Sequence, residues 1–155
     1  MAVVLADLLE EKHVTLIMQA RTRAEALREI IGTMTAGDVL REAEKFFAEV
    51  LAREEVHSTF MGNGVAFPHA RTELVEEIVL GIGRSQKGVA FGENGERAHL
   101  IFVIGVPQRM VTDYLVCVGA LARLTKGAEE RATLMKAASA AEFLEILRAG
   151  SLLLE

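Results

Sequence analysis

The run from Leu100 to Val106 constrains the fold of this chain more strongly than any other stretch of its sequence. Every residue in it is apolar except Gly105, and Pro107 follows directly. A strand with one face in water alternates apolar and polar residues, whereas a continuous apolar run is typical of a strand covered on both faces. We therefore predict a central strand, ended by Pro107, in a sheet with helices packed against both of its faces.

Shorter patterns predict the other strands and the helices around this central strand. Three further strands are predicted, at His13–Met18, Ile78–Gly83 and Gly88–Phe91. Apolar residues at three-to-four spacing predict two helices early in the chain and three late in it. Strands mixed with helices, and no linker between them, indicate an α/β fold. We expect one domain over residues 1–155, with a mixed β-sheet flanked by α-helices on both faces.

Capping residues predict several of the helix boundaries. Thr22–Glu25 and Ser139–Glu142 both have the spacing of a capping box, in which a hydroxyl and a carboxylate accept hydrogen bonds from N–H groups at the helix start. Gly37-Asp38 marks the start of the second helix, which is predicted to end near Arg53. Gly150 is predicted to end the last helix.

The third helix follows the central strand and is predicted to be capped by Thr112 or Asp113. Its apolar spacing predicts that Tyr114 and Leu115 are buried. The acidic pair Glu54-Glu55, near the end of the second helix, is interpreted as a solvated helix face, since charged runs on helices usually face water.

Composition excludes several classes of function. The chain has 17 Lys and Arg against 22 Asp and Glu, a net charge of −5, and no dense basic run, which argues against nucleic acid as a partner. Its single cysteine, Cys117, forms no internal disulfide and suits a reducing compartment, so we predict a cytoplasmic protein. No apolar run reaches membrane-spanning length, and direct membrane insertion is not expected.

The least ordinary stretch of the chain runs from Gly62 to Arg71. Gly62-Asn63-Gly64 is predicted to form a tight loop, because glycine and asparagine tolerate positive φ. Pro68 has a fixed φ and pushes Phe67 toward an extended conformation. The backbone that presents His69 is therefore expected to be stiff.

An imidazole in such a stretch can act as a nucleophile, a general base or a metal ligand. The HxxH, HExxH and CxxC spacings of metal sites are absent, so we predict neither a metal nor a cofactor. The Gly-x-Ser-x-Gly turn of serine hydrolases is absent as well. A histidine that carries a phosphoryl group fits better, because the phosphorus–nitrogen bond forms and breaks readily.

A phosphoryl carrier also needs donors for the phosphoryl oxygens. Glycine-rich loops offer backbone N–H groups, hydroxyls donate hydrogen bonds, and guanidinium groups supply charge. The candidate donors are the N–H groups of Gly62 and Gly64, the hydroxyls of Ser58 and Thr59, and the guanidinium groups of Arg53 and Arg71. The residues alone leave open which of these donors converge on His69.

The run from Ser58 to Arg71 strongly resembles the signature of enzyme IIA domains of the fructose/mannitol class. These domains belong to the bacterial phosphoenolpyruvate:sugar phosphotransferase system, and the class includes the nitrogen-related regulatory enzyme IIA. Family members read close to Ser-Thr-Gly-Ile-Gly-x-Gly-x-Ala-Ile-Pro-His. This chain has Ser-Thr-Phe-Met-Gly-Asn-Gly-Val-Ala-Phe-Pro-His, and the resemblance continues over nearly its whole length.

The resemblance implies a phosphocarrier transferase phosphorylated on His69. Its expected donor is the small histidine phosphocarrier protein, and its expected acceptor is an enzyme IIB or a regulated partner that reads the phosphorylation state. The resemblance also implies that Arg53 lies by the active site, and that Thr59 is the signature threonine.

This chain departs from the family pattern at three places. Phe60 and Met61 replace the usual Gly and Ile, and His57 stands where Gly is common, as a possible accessory imidazole. Many members have a second active-site histidine in a His-Leu pair, for which this chain has Tyr114-Leu115. A tyrosine hydroxyl can bind a phosphoryl oxygen but carries no positive charge near neutral pH. The Tyr114 replacement favours an alternative, a non-catalytic regulatory module whose partners read its phosphorylation state.

Overall fold

The central strand of the sheet is built from the apolar run. In the computed structural model, which describes residues 4–35, 40 and 42–154, strand β5 spans Arg97–Pro107. Its side chains alternate between two buried clusters, with Leu100 and Phe102 on one face and Ile101 and Val103 on the other. Both faces of the strand are therefore covered, and this prediction is confirmed.

The sheet around β5 is mixed. Strand β4 (Val79–Ala90) pairs with β5 in antiparallel fashion and with the short strand β1 (Val14–Thr15) in parallel fashion on its other edge. Two short strands, β2 (Val65–Ala66) and β3 (His69–Thr72), follow one another along the remaining edge of β5, both parallel to it. The mixed sheet predicted from the sequence is confirmed.

Helices cover both faces of this sheet, as predicted. Helices α1 (Arg23–Met34) and α2 (Ala43–Val56) pack on one face. Helix α3 (Val111–Leu124), the end of α4 and helix α5 (Ala140–Leu154) pack on the other, with α4 spanning Ala128–Lys136. No helix in the described ranges is both long and apolar enough to cross a bilayer.

The capping boxes begin the helices that they predict. The Thr22 hydroxyl accepts from the Glu25 N–H at 3.3 Å, and the Glu25 carboxylate accepts from the Thr22 N–H at 3.2 Å. Ser139 accepts from the Glu142 N–H at 3.1 Å. The predicted stop at Gly150 is wrong, because α5 continues to Leu154. A helical glycine costs only about 1 kcal/mol, which packing can offset.

Helices α2 and α3 differ from their predicted boundaries. The predicted start of α2 at Gly37-Asp38 lies outside the described residues, and the helix runs past Arg53 to Val56. Helix α3 begins at Val111, after a 3₁₀ turn, so Thr112 and Asp113 lie inside it rather than capping it.

The strands also differ from the predictions. The two strands predicted at Ile78–Gly83 and Gly88–Phe91 are one strand, β4, with a register shift between Arg84 and Val89. The strand predicted at His13–Met18 is reduced to Val14–Thr15. Strands β2 and β3 were not predicted, because two and four residues carry too little alternation to be recognised.

Candidate functional site

His69 is the first residue of β3, and the backbone just before it is hydrogen-bonded to β5 on one side and to Thr59 on the other. The Pro68 carbonyl accepts from the Ile104 N–H of β5 at 2.9 Å, and the Phe67 N–H donates to the Thr59 carbonyl at 3.3 Å. His69 itself lies opposite Ile104 in the parallel ladder. The predicted stiff presentation of His69 thus comes from strand pairing as well as from proline.

The His69 ring is half-buried, and its Nδ1 lies 3.1 Å from the Phe67 carbonyl oxygen. A carbonyl only accepts, so this hydrogen bond requires the proton on Nδ1 and leaves a lone pair on Nε2 of the neutral ring. Burial lowers the pKa of His69 and the charge of Arg53 adds to this, while the Phe67 carbonyl and the Glu54 carboxylate oppose it. The ring is therefore neutral at neutral pH.

Tyr114 forms one wall beside the imidazole. It lies in the first turns of α3, and its ring centroid is 5.0 Å from that of His69, with 35° between the planes. Burial raises the pKa of Tyr114, so its hydroxyl keeps its proton, although the charge of Arg53 opposes the shift. Leu115, predicted to be buried with it, is instead 58% exposed, because the inner face of α3 runs through Tyr114, Cys117 and Leu121 and leaves Leu115 outside it.

Arg53 brings positive charge to both rings. Its Nη1 donates to the His57 carbonyl at 2.8 Å, which holds the side chain across the end of α2. Its charge lowers the pKa of His69 and of Tyr114 alike. The structure thus brings His69, Tyr114 and Arg53 together from β3, α3 and α2.

Glu54 is buried, so the prediction that it lies on a solvated helix face is wrong. It is only 1% exposed, and its carboxylate accepts from the Thr59 N–H at 3.1 and 3.2 Å and from the Thr59 hydroxyl. One sequence signal could have revealed it, because Glu54 continues the apolar spacing of Phe47 and Val50 along α2. Thr59, 9% exposed, directs its hydroxyl into this bond.

The side chains of Ser58 and His57, which come just before Thr59 in the chain, each have a polar partner. The Ser58 hydroxyl accepts from the Phe60 N–H at 3.1 Å in a local turn. The exposed His57 ring lies with its Nδ1 3.3 Å from the Glu93 carboxylate. The ring of His57 is thus held by Glu93, on the surface.

The glycine loop lies apart from His69, so the structure does not bring Gly62 and Gly64, two of the candidate donors for the phosphoryl oxygens, to the His69 ring. The Gly64 carbonyl accepts from the N–H groups of His99 and Leu100, whereas His69 lies opposite Ile104. Five residues of β5 at about 3.3 Å each separate the two places by about 16 Å. The chain from Gly64 to His69 runs extended along β5, so closeness in sequence is not closeness in space.

The loop has a structural role in this position. Gly62, Asn63 and Gly64 have φ angles of +86°, +55° and +79°, and the Val65 N–H donates to the Gly62 carbonyl at 3.1 Å. Side chains other than those of Gly and Asn are strained at such angles. The loop reverses the chain so that β2 can begin beside β5.

Arg71 lies two residues beyond His69 in β3, on the same side of the strand. It is exposed, and no described residue forms a hydrogen bond or an ion pair with its guanidinium group. Across the described ranges, no three His, Cys, Asp or Glu side chains are arranged to hold a metal ion.

Comparison with known proteins assigns the family. The family model of the phosphoenolpyruvate-dependent sugar phosphotransferase system, EIIA 2, matches residues 7–150. The chain belongs to this family. The resemblance found in the run from Ser58 to Arg71 is thereby confirmed.

Relatives of this enzyme IIA chain include both sugar-specific components and nitrogen regulatory proteins. Over 144 residues it is 26% identical to the fructose-specific EIIABC component of Bacillus subtilis, a match that covers 92% of this chain and 23% of that protein. The chain therefore spans less than a quarter of the length of this relative.

Two solved structures are similar to this enzyme IIA. The nitrogen regulatory protein IIA-Ntr of Neisseria meningitidis has a TM-score of 0.84 and 27% identity, over 92% of this chain and 97% of that one. The mannitol enzyme IIA of Escherichia coli, in its complex with phosphorylated enzyme IIB, has a TM-score of 0.79 over 91% of this chain and 97% of that one. At 21% identity the second likeness shows the fold alone.

Proposed function

We propose that this chain is a phosphohistidine carrier that accepts a phosphoryl group on Nε2 of His69. The observation that supports this most directly is the hydrogen bond from Nδ1 to the Phe67 carbonyl at 3.1 Å. That bond keeps the proton on Nδ1, and the lowered pKa keeps the ring neutral. A neutral ring in this tautomer has its nucleophilic lone pair on Nε2.

The transfer step needs no base under this proposal. The Nε2 lone pair attacks the phosphorus of a phosphohistidine donor, the donor's phosphorus–nitrogen bond breaks, and its electron pair stays on the donor nitrogen. No proton has to leave His69, because Nε2 carries none. The ring gains positive charge as the bond forms, and the carbonyl of Phe67 and the nearby carboxylate of Glu54 both favour that charge.

Arg53 and Tyr114 are the proposed partners of the phosphoryl group. Arg53 supplies positive charge beside the His69 ring, and a guanidinium fork matches the geometry of phosphoryl oxygens. Tyr114 keeps its proton and offers a hydroxyl donor next to the imidazole. Thr59 and Ser58 support the backbone around this group through their own hydrogen bonds.

The proposed donor is the histidine phosphocarrier protein, and the proposed acceptor is an enzyme IIB. The acceptor proposal is supported by the membership of this chain in the EIIA 2 family of the sugar phosphotransferase system. The cytoplasmic location predicted from Cys117 stays a prediction.

Phosphorylation in a reconstituted system tests the acceptor residue. The chain is incubated with phosphoenolpyruvate and the two general proteins of the phosphotransferase system, and its intact mass is measured. We expect one acid-labile phosphoryl group, lost in His69→Ala and retained in His57→Ala, whose ring is held by Glu93. Labelling that persists in His69→Ala would refute the assignment.

The position of the phosphoryl group on the ring tests the tautomer argument separately. Nitrogen-15 NMR of the phosphorylated protein distinguishes the two phosphohistidine isomers. We expect phosphorylation at Nε2, with Nδ1 still protonated. Phosphorylation at Nδ1 would show that the hydrogen bond to Phe67 does not select the nucleophile, even if His69 is the acceptor.

A second candidate function is a regulatory module that reports phosphorylation instead of passing it to sugar transport. The likeness to the IIA-Ntr of N. meningitidis favours it, as does Tyr114 in place of the second histidine expected in the family. Purified fructose-type and mannitol-type enzyme IIB proteins discriminate the two. Rapid loss of the phosphoryl group from His69 to an enzyme IIB supports transport. A phosphorylated form stable to both, with His69→Ala and His69→Asp binding different partners, supports regulation.

A further inference from the structure

A cavity of about 780 Å³ lies between β4 and the segment that follows β1. The segment is tied to β4 at two points: the Met18 N–H donates to the Arg84 carbonyl and the Ala90 N–H donates to the Arg21 carbonyl, each at 3.2 Å. Between these ties, β4 shifts its register against β5 at residues 84–89. The volume is that of a site for a small molecule.

The lining of this cavity is strongly positive. It includes Arg21, Arg84, Lys87 and Arg97, and no Asp or Glu. The whole chain has a net charge of −5, so four cations without a carboxylate are a clear local departure from its composition. Oriented positive side chains around a concave surface attract anions.

Two carboxylates lie behind the segment rather than in the lining. Glu29 accepts from the N–H groups of Gln19 and Ala20, and Glu25 accepts from those of Arg21 and Thr22. Their oxygens are thus bound to backbone donors at the start of α1. The Glu25 carboxylate offsets part of the charge of Arg21 from outside the cavity.

Arg84 is the most informative residue of the lining, because it is only 6% exposed. Its Nε donates to the Leu16 carbonyl at 3.2 Å, and its Nη1 donates to the carbonyls of Leu134 and Ala137, both at 2.8 Å. Within the described ranges, the hydrogen bonds of Arg84 leave Nη2 without a partner, and no carboxylate forms an ion pair with the guanidinium group. Burial accordingly lowers the pKa of Arg84.

A buried guanidinium group without a counter-ion is costly, and carbonyl oxygens compensate only part of its charge. The carbonyls that Arg84 binds occupy Nε and Nη1 and leave Nη2 for a further acceptor. Nη2 can donate a charge-assisted hydrogen bond to one phosphate oxygen, and the lysine and the two other arginines of the lining can neutralise further charge.

We propose that this cavity is a second binding site, which takes a small molecule carrying phosphate groups. Arg84 donates to a phosphate oxygen through Nη2, and Arg21 and Lys87 at the rim bind the remaining negative charge. Arg97 is held in place by its own bond to the Lys87 carbonyl at 3.0 Å.

This site is separate from the His69 site. Along β5, His69 lies opposite Ile104, whereas Arg84 lies opposite Leu100 and Ala90 lies opposite Arg97. These positions are four and seven residues away, or about 13 and 23 Å at 3.3 Å per residue. The cavity also lies on the opposite edge of the sheet, beyond β4. Binding there does not depend on phosphorylation of His69.

Titration of the unphosphorylated protein with pyrophosphate at constant ionic strength tests the proposal by two-dimensional amide NMR. We expect saturable shifts confined to residues 16–21 and 84–90, with one site per chain. Shifts that centre on Arg53 and Tyr114 would assign the anion to the candidate active site. Shifts that never saturate and follow every surface cation would reveal only nonspecific attraction. Either result overturns the proposal.

Variants at the rim of the cavity give the second test. Arg84 also holds the end of α4, so its replacement can prevent folding, and exposed residues are the better choice. We expect Lys87→Gln and Arg21→Gln each to weaken pyrophosphate binding by about threefold or more, the effect of losing one charge-assisted contact. Arg123→Gln, on the exposed side of α3, is the matched control and should bind normally. Equal affinities in all three variants would refute the site.

Discussion

Thr59→Val separates a supporting role of Thr59 from contact with the phosphoryl group. The Thr59 hydroxyl donates to the carboxylate of Glu54, which is 1% exposed and takes its other hydrogen bonds from the Thr59 N–H. Valine has nearly the same shape as threonine, so the substitution deletes this one donor without opening a cavity. We expect the protein to lose stability and His69 to accept a phosphoryl group at the normal rate.

The magnitude follows from the burial of Glu54. A hydrogen bond to a charged group contributes about 1.5–3 kcal/mol, and water cannot replace the donor where the carboxylate is inaccessible. In a chain of 155 residues each kcal/mol lowers Tm by about 2–4 °C. Thr59→Val should therefore lower Tm by about 3–12 °C. Thermal unfolding followed by circular dichroism measures this change.

Thr59→Ser is the matched control, because serine keeps the hydroxyl donor and should retain most of the stability. The phosphorylation rate of each variant is measured well below its Tm, with phosphoenolpyruvate and the two general proteins. If Thr59→Val lowers that rate strongly while Tm stays unchanged, the hydroxyl serves the phosphoryl group rather than Glu54. Our account of the buried carboxylate would then be wrong.

Three further predictions concern packing, pH and the wall of the site. Gly81→Ala should lower the free energy of unfolding in urea by about 1–3 kcal/mol, since its Cβ would lie 2.7 Å from an α1 side chain. Gly32→Ala, with open space around it, should raise that free energy by about 0.5–1 kcal/mol. Burial lowers the pKa of His13, so the unfolded chain binds the proton more tightly. Stability should therefore fall as pH drops below about 6.5, less steeply in His13→Leu. Tyr114→Phe should slow phosphorylation of His69 about fivefold to tenfold, because one hydroxyl donor is lost. A time course of phosphorylation measures the rate.

The sequence predicts the fold well where a pattern is long. The apolar run of β5 is seven residues long, and it correctly indicates a strand covered on both faces. Thr22 and Glu25 correctly predict the start of α1, because a capping box depends only on residues three apart. Strands β2 and β3 escape prediction, since their pairing with β5 is a contact between segments about 35 residues apart.

The candidate site is only partly predictable for the same reason. Local geometry correctly indicates a stiff backbone at His69, but the donors around it come from α2 and α3. The extended chain carries the glycine loop away from His69, although only four residues intervene. Residue type alone does not predict the burial of Glu54, because carboxylates are rarely buried unless they have a partner. The partner here is Thr59, and its hydrogen bonds to Glu54 are known only from the structure.

Under the proposed function, the atom that selects the nucleophilic nitrogen of His69 is a backbone oxygen, the carbonyl of Phe67. No side-chain substitution at Phe67 can delete its carbonyl oxygen. That oxygen is held in place by the bonds of its neighbours, from Ile104 to Pro68 and from Phe67 to Thr59. The tautomer of the ring therefore depends on the pairing of this edge with β5. Substitutions at Arg53 and Tyr114 should then change the rate of transfer while leaving Nε2 as the acceptor, and only changes that loosen the strand pairing should alter which nitrogen reacts.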